Sequence, residues 1–226
     1  MTTTIERPTD ITPVETAPVE RPDEFHVKGS DRSLGRNLPQ RVGRRLWLPM
    51  FLMALMGWTV GFILAIVRAN IRADADPADL DTLARLDHLV PGFMFIGFAA
   101  VFGAISFAIA RILGEFRKGG GEVQQAVTGE VQTLRMPWTA VGFLAFMMMG
   151  MMALLGAVVA HFVVAGTVPS LAEADLVRSE QWAIALEGVR RIGVALYLVG
   201  IALGLGTIVT VLRFQAVRIR EVVGLD

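Results

Sequence analysis

The sequence predicts an all-α membrane protein: four transmembrane helices in a bundle, preceded by a disordered N-terminal tail. Three observations carry that reading. The 226-residue chain is 54% hydrophobic and only 19% charged, with a mean hydropathy of +0.55, so it is more apolar and less charged than an ordinary soluble domain. Its apolar residues gather into four runs, each meeting the roughly 20 residues that a helix needs to cross a hydrocarbon core about 30 Å thick. None of the four runs contains Asp, Glu, Lys or Arg, and a segment without backbone partners in lipid must satisfy its own amides as a helix.

Residues 1–45 form the tail. Pro8, Pro13, Pro18, Pro22 and Pro39 lie among Thr, Glu, Asp and Arg with no apolar periodicity, a composition that cannot bury enough surface to fold. Its first 24 residues are mostly acidic and the remainder mostly basic, which suits a solvated extension whose basic stretch lies near anionic lipid or, on a sharper reading, a docking arm. The polar residues ahead of the first apolar run do not resemble a secretory leader. The transmembrane domain then spans 46–212, with helices at 46–67, 89–110, 138–166 and 192–212. The third is longer than a bilayer requires and is expected to tilt. Residues 213–226 are a short basic segment.

Two connecting stretches have helical periodicity of their own. After Gly119, Gly120 and Gly121, read as a flexible joint, Val123, Val127, Val131 and Leu134 recur at a spacing that predicts a short surface helix ending at Pro137. Gln181 to Arg191 reads similarly on the opposite side.

Charge sets the expected orientation. Lys28, Arg32, Arg36, Arg41, Arg44 and Arg45 precede the first helix; Arg111, Arg117, Lys118 and Arg135 lie between the second and third; Arg213, Arg218 and Arg220 follow the fourth. The other two connections are acidic, with Asp74, Asp76, Asp79, Asp81 and Asp87 in one and Glu173, Asp175 and Glu180 in the other. Because Lys and Arg near helix ends stay inside, both termini are expected in the cytoplasm of a plasma-membrane protein. Arg68, Arg72, Arg190 and Arg191 are the outer minority, with stems long enough to snorkel. The 21 basic and 21 acidic residues therefore cancel by segregation, and the lack of a basic excess excludes a nucleic-acid partner.

The halves share a plan. A shift of 101 positions superposes Gly92 on Gly193, Gly103 on Gly204, Ser106 on Thr207 and Arg117 on Arg218, while a shift of 93 superposes Met56 and Gly57 on Met149 and Gly150. Two parallel helix-pair repeats would result. Gly57 with Gly61, Ala99 with Gly103, Gly156 with Ala160, and Gly200 with Gly204 place small residues four apart, the spacing that lets helix backbones approach.

With no cysteine and three histidines, thiolate and iron–sulfur sites are excluded. His88 and His161 fall at similar depth near the outer ends of neighbouring helices and could hold haem b axially, although the sequence favours interfacial histidines without a cofactor. Met147, Met148, Met151 and Met152 are soft donors suited to Cu(I), although methionine is also a flexible core filler. Trp58, Thr59, Ser106, Tyr197, Thr207 and Thr210 suit interhelical hydrogen bonds. Cores without ionisable residues disfavour proton-coupled transport, and no nucleophile or phosphate motif occurs, so no catalytic residue is assigned.

The expected function is that of a non-enzymatic accessory or assembly subunit of a membrane complex, meeting other subunits or a copy of itself through helix faces within the bilayer. Two alternatives are a small oligomeric transporter or channel, handling Cu(I) through the methionines, and a haem b electron-transfer subunit.

Overall fold

The computed structural model describes residues 25, 27–28, 37–74, 76–167 and 173–224. The acidic part of the tail, His26 and the basic residues Arg32 and Arg36 lie outside them. Four helices follow the four apolar runs: α1 (Leu38–Asp74), α2 (Leu80–Thr128), α3 (Trp138–Thr167) and α4 (Glu173–Val223). All four are long and apolar enough to cross a membrane, and the protein is a polytopic α-helical membrane protein.

The helices run well past their apolar runs. At 1.5 Å per residue the 49 residues of α2 and the 51 of α4 extend about 74 and 77 Å, more than twice the hydrocarbon thickness. Helix α2 projects at the end where α1 begins and α4 ends, hereafter the terminal end, and α4 at the opposite, distal end. Helix α1 begins eight residues before the expected boundary, taking residues 38–45, Leu38 and Pro39 among them, out of the tail. Pro91 lies inside α2 and does not start it.

Both expected surface helices are instead continuous with their neighbours. Residues 181–191 are part of α4. The triple glycine is helical too, and its use is close approach: a Cβ on Gly120 would lie 2.1 Å from the Gln215 side chain of α4. Helix α2 stops at Gly129, whose φ of 71° is the left-handed conformation that glycine adopts without penalty. Residues beyond it form no helix. A two-residue strand β2 (Thr133–Leu134) pairs antiparallel with β1 (Val27–Lys28), and Phe25 meets Phe214 of α4 edge-on at 5.7 Å. Part of the expected tail is thereby held against the terminal end. Val123 and Val127 face outward while Gln124 and Val131 are buried, so only the helical first half of the expected apolar stripe is outer surface.

Packing follows a seven-residue repeat. Buried positions on α3 are Ala140, Met147, Leu154 and His161, interleaved with Phe143, Gly150 and Ala157; on α4 they include Leu186, Gly193, Gly200, Thr207 and Phe214, interleaved with Tyr197 and Gly204. A strict repeat of seven gives the shallow crossing in which side chains of one helix sit between those of the next. In lipid such contacts gain no help from the hydrophobic effect, and association rests on dispersion and close backbone approach. Helix α1 shows this most plainly, since its buried residues are Gly43, Ala54, Gly57 and Gly61 alone. A Cβ on Gly57 would lie 2.8 Å from the Gly97 nitrogen, and one on Gly97 would lie 2.3 Å from the Trp58 ring.

The repeat reappears in contacts. Gly103 meets Met50, and Gly204 meets Phe143; the same shifts of 101 and 93 relate the two pairs. Gly57 against Gly97 and Phe93 parallels Gly150 against Tyr197 and Gly193 one position out of that register, at shifts of 93 and 100. The two halves nevertheless differ in setting: α2 contacts α1, α3 and α4, whereas α1 and α4 share no extended interface.

Candidate functional site: a buried histidine pair joining three helices

The most polar point inside the bundle is near the distal end. His88 of α2 and His161 of α3 are 1% and 3% exposed, so both are core groups of the bundle. The interior position has identifiable causes. Helix α2 starts at Leu80, which puts His88 two turns inside it. Asp87 pairs with Arg68 of α1, which turns that charge away from the core. Gly92, one turn beyond His88, packs against α3 at this level, where a Cβ would come into ordinary contact with the His161 Cβ at 3.4 Å. His161 itself falls on the seven-residue seam of α3.

The two Nδ1 atoms are 3.2 Å apart, so one imidazole donates and the other accepts. His88 Nε2 lies 2.8 Å from Ser179 Oγ of α4. One side chain therefore ties α2 to both α3 and α4. If His88 Nε2 carries a proton it donates to Ser179, and His88 Nδ1 accepts from His161; the opposite tautomers reverse both bonds. In either case His161 Nε2 is left buried with no partner among the described residues. Phe95 stands edge-on to His161 at 5.2 Å, and the Arg190 guanidinium lies 5.1 Å from the Phe95 ring centroid. Arg190 and Arg191 both pair with Glu187, the latter at 3.0 Å, within one turn of the same helix.

The expected haem ligands are thus brought together, but as partners of each other, with ring centroids 5.4 Å apart. Axial ligation of one iron by both would require breaking this contact and parting α2 from α3. The methionines separate into two faces. Met147 is buried and its sulfur accepts from the Ser106 hydroxyl at 3.1 Å; the Met151 sulfur accepts from the Tyr197 hydroxyl at 3.2 Å. Met148 and Met152 are 67% and 72% exposed and face away. The four sulfurs do not converge. Among the described residues no group of three or more His, Asp and Glu side chains could hold a metal.

Of the other polar residues, Thr207 donates across to Thr139 or to Leu203 of its own helix, each at 2.9 Å, while Thr59 and Thr210 bond carbonyls within their own helices. Sequence reading missed Gln124, which accepts from the Gln132 backbone at 2.9 Å and reaches Gln215. Its signal was a glutamine on a helix extending from a membrane span.

Three of the four small-residue pairs lie at helix contacts. Gly57 and Gly61 meet α2; Ala99 and Gly103 are buried; Gly200 packs on Met147 and Gly204 on Phe143 and Ile109. The fourth differs: nothing lies within 4 Å of a Cβ built on Gly156, which is exposed, and Ala160 is half-buried. The chain matches no protein-family model, and no curated protein or solved structure resembles it.

Tyr197→Phe removes the O–H bond to Met151 while keeping the ring stacked 4.5 Å from Phe102. A loss of about 0.6 kcal/mol in unfolding free energy is expected, the average for an interhelical hydrogen bond in a membrane, measured by reversible denaturation in micelles.

Proposed function

We propose that this protein is a non-enzymatic accessory or assembly subunit of a plasma-membrane complex, with both termini cytoplasmic, and that it binds other membrane subunits through helix faces. The observation that supports this best is Gly156. A helix face left to lipid does best with large apolar side chains, which fill the space between acyl chains; a glycine there is a notch. Met152, Val159 and Val163, on the same face as Gly156, are 72%, 61% and 56% exposed. A glycine between them admits the backbone of a second helix at short range, and the methionines beside it can repack against such a neighbour.

Gly156→Leu is the test. The substitution fills the notch without meeting anything in the bundle, and it raises helix propensity by up to about 1 kcal/mol. Thermal unfolding of the isolated chain should be unchanged or slightly higher, while recovery of associated subunits in mild detergent should fall several-fold. Equal recovery from wild type and variant would remove this face from the proposal.

A further inference from the structure

The contact between His88 and His161 tolerates one added proton and not two. Their Nδ1 atoms are 3.2 Å apart, and the bond holds only while one of these nitrogens is a bare acceptor. A first proton is compatible with it: with both nitrogens of His88 protonated, Nε2 donates to Ser179 Oγ and Nδ1 donates to His161. A second proton sets one N–H against the other. It also buries two adjacent cations in residues only 1% and 3% exposed, where an uncompensated charge is costly.

The surroundings offer little compensation. Arg68 of α1 engages Asp87 of α2, and Arg85 of α2 pairs with Asp81. Helix α3 contributes no ionisable side chain besides His161. On α4, Glu187 is held by both Arg190 and Arg191, the Arg190 guanidinium stands over the Phe95 ring that meets His161, and Arg178 and Glu180, on either side of Ser179, are exposed. The two carboxylates whose charge reaches the rings, Asp87 and Glu187, are thus both engaged by arginines. Solvent is close, since the Arg68 and Asp87 side chains next to His88 are 34% and 46% exposed.

The polar contact is also isolated along the bundle. Beyond it α2, α3 and α4 meet through the apolar cluster of Phe95, Ala157, Val158 and Leu186. The next interhelical hydrogen bond among the described residues joins Tyr197 to Met151, about 27 Å further along α4 from Ser179 at 1.5 Å per residue. We propose that the His88–His161 contact is an acid-released clasp: when both imidazoles are protonated, the distal end of α2 parts from α3 and α4 and uncovers the Phe95 cluster. The closed form is complete above about pH 6.5, the usual value for a solvated imidazole, and is lost as pH falls, because the open form binds more protons.

With no native cysteine, a single thiol can report the opening. Val158→Cys places one in the buried cluster, where Val158 is 8% exposed, and Val159→Cys places one at the neighbouring position, which is 61% exposed. Full-length protein in micelles is reacted with a dithiodipyridine, and the ratio of the two rates cancels thiol ionisation and micelle partition. From about pH 7.5 to about pH 5 the ratio should rise about 30-fold if the closed pair retains one proton, and up to about 900-fold if it retains none. The rise should set in near pH 6.5, be unchanged by His26→Gln, and be absent from the double variant His88→Leu with His161→Phe. The onset alone decides should the double variant fail to fold, because carboxylates titrate only below about pH 5. A flat ratio, a rise confined to that lower range, one that survives in the double variant, or one that His26→Gln removes would each overturn the proposal.

Discussion

Gly57→Val should detach α1 from the rest of the bundle. The added Cβ would lie 2.8 Å from the Gly97 nitrogen and 3.1 Å from the Phe93 carbonyl oxygen, and both obstacles are backbone, which has no rotamer to move to. The helices must part along the contact, and α1 has little else to hold it, since its buried residues are small and all on that seam. We expect a loss of about 3 kcal/mol, the upper end of the overpacking range. The absence of native cysteine gives a clean readout: with cysteines at positions 68 and 87, where Arg68 pairs with Asp87, a short bis-maleimide should join α1 to α2 in the wild-type background and fail in Gly57→Val. Val at Gly156, which faces open space, is the control that should leave cross-linking unchanged.

His88→Ala should destabilise the protein more than the double replacement His88→Leu with His161→Phe. The bond itself is a small part of the effect, because an interhelical hydrogen bond in a membrane averages only about 0.6 kcal/mol. The larger part is what remains. Alanine at 88 leaves His161 Nδ1 without a donor or acceptor, as its Nε2 already is, and opens a cavity between α2 and α3. Orphaning a buried polar atom costs about 1–3 kcal/mol, and with the cavity the total should reach about 3 kcal/mol. The double variant removes both polar partners at similar volume and should fall within about 1 kcal/mol of wild type. Reversible unfolding of wild type, His88→Leu, His161→Phe and the double variant closes a double-mutant cycle. Additive losses would mean that the two imidazoles do not interact as their 3.2 Å separation implies.

The four spans were legible because charge exclusion and length are both one-dimensional properties of the chain. Helix ends were not. Hydropathy marks where lipid stops, and α2 and α4 continue as helices through residues that water can solvate. The triple glycine was misread for a related reason. Glycine in sequence signals freedom, but Gly120 serves the Gln215 side chain of another helix, a partner 95 positions away that no local pattern shows. Small-residue spacing located three helix contacts correctly, and it could not tell that Gly156 faces outward, because a notch looks the same whether its partner is in the chain or outside it. The histidines illustrate the same limit. His88 and His161 were paired by depth, yet their burial depended on Asp87 being drawn off by Arg68 and on His161 falling on the buried seam of α3, and neither follows from depth alone.

The notched outer face of α3 at Gly156 is the surface proposed to meet another subunit. The most direct test is purification from native membranes in mild detergent, followed by mass spectrometry of the intact particle. The expected result is the chain in a particle of fixed stoichiometry with at least one further membrane polypeptide or a second copy, and release of the chain as a folded monomer by Gly156→Leu. A wild-type chain that is consistently solitary, or a particle that Gly156→Leu leaves intact, would contradict it.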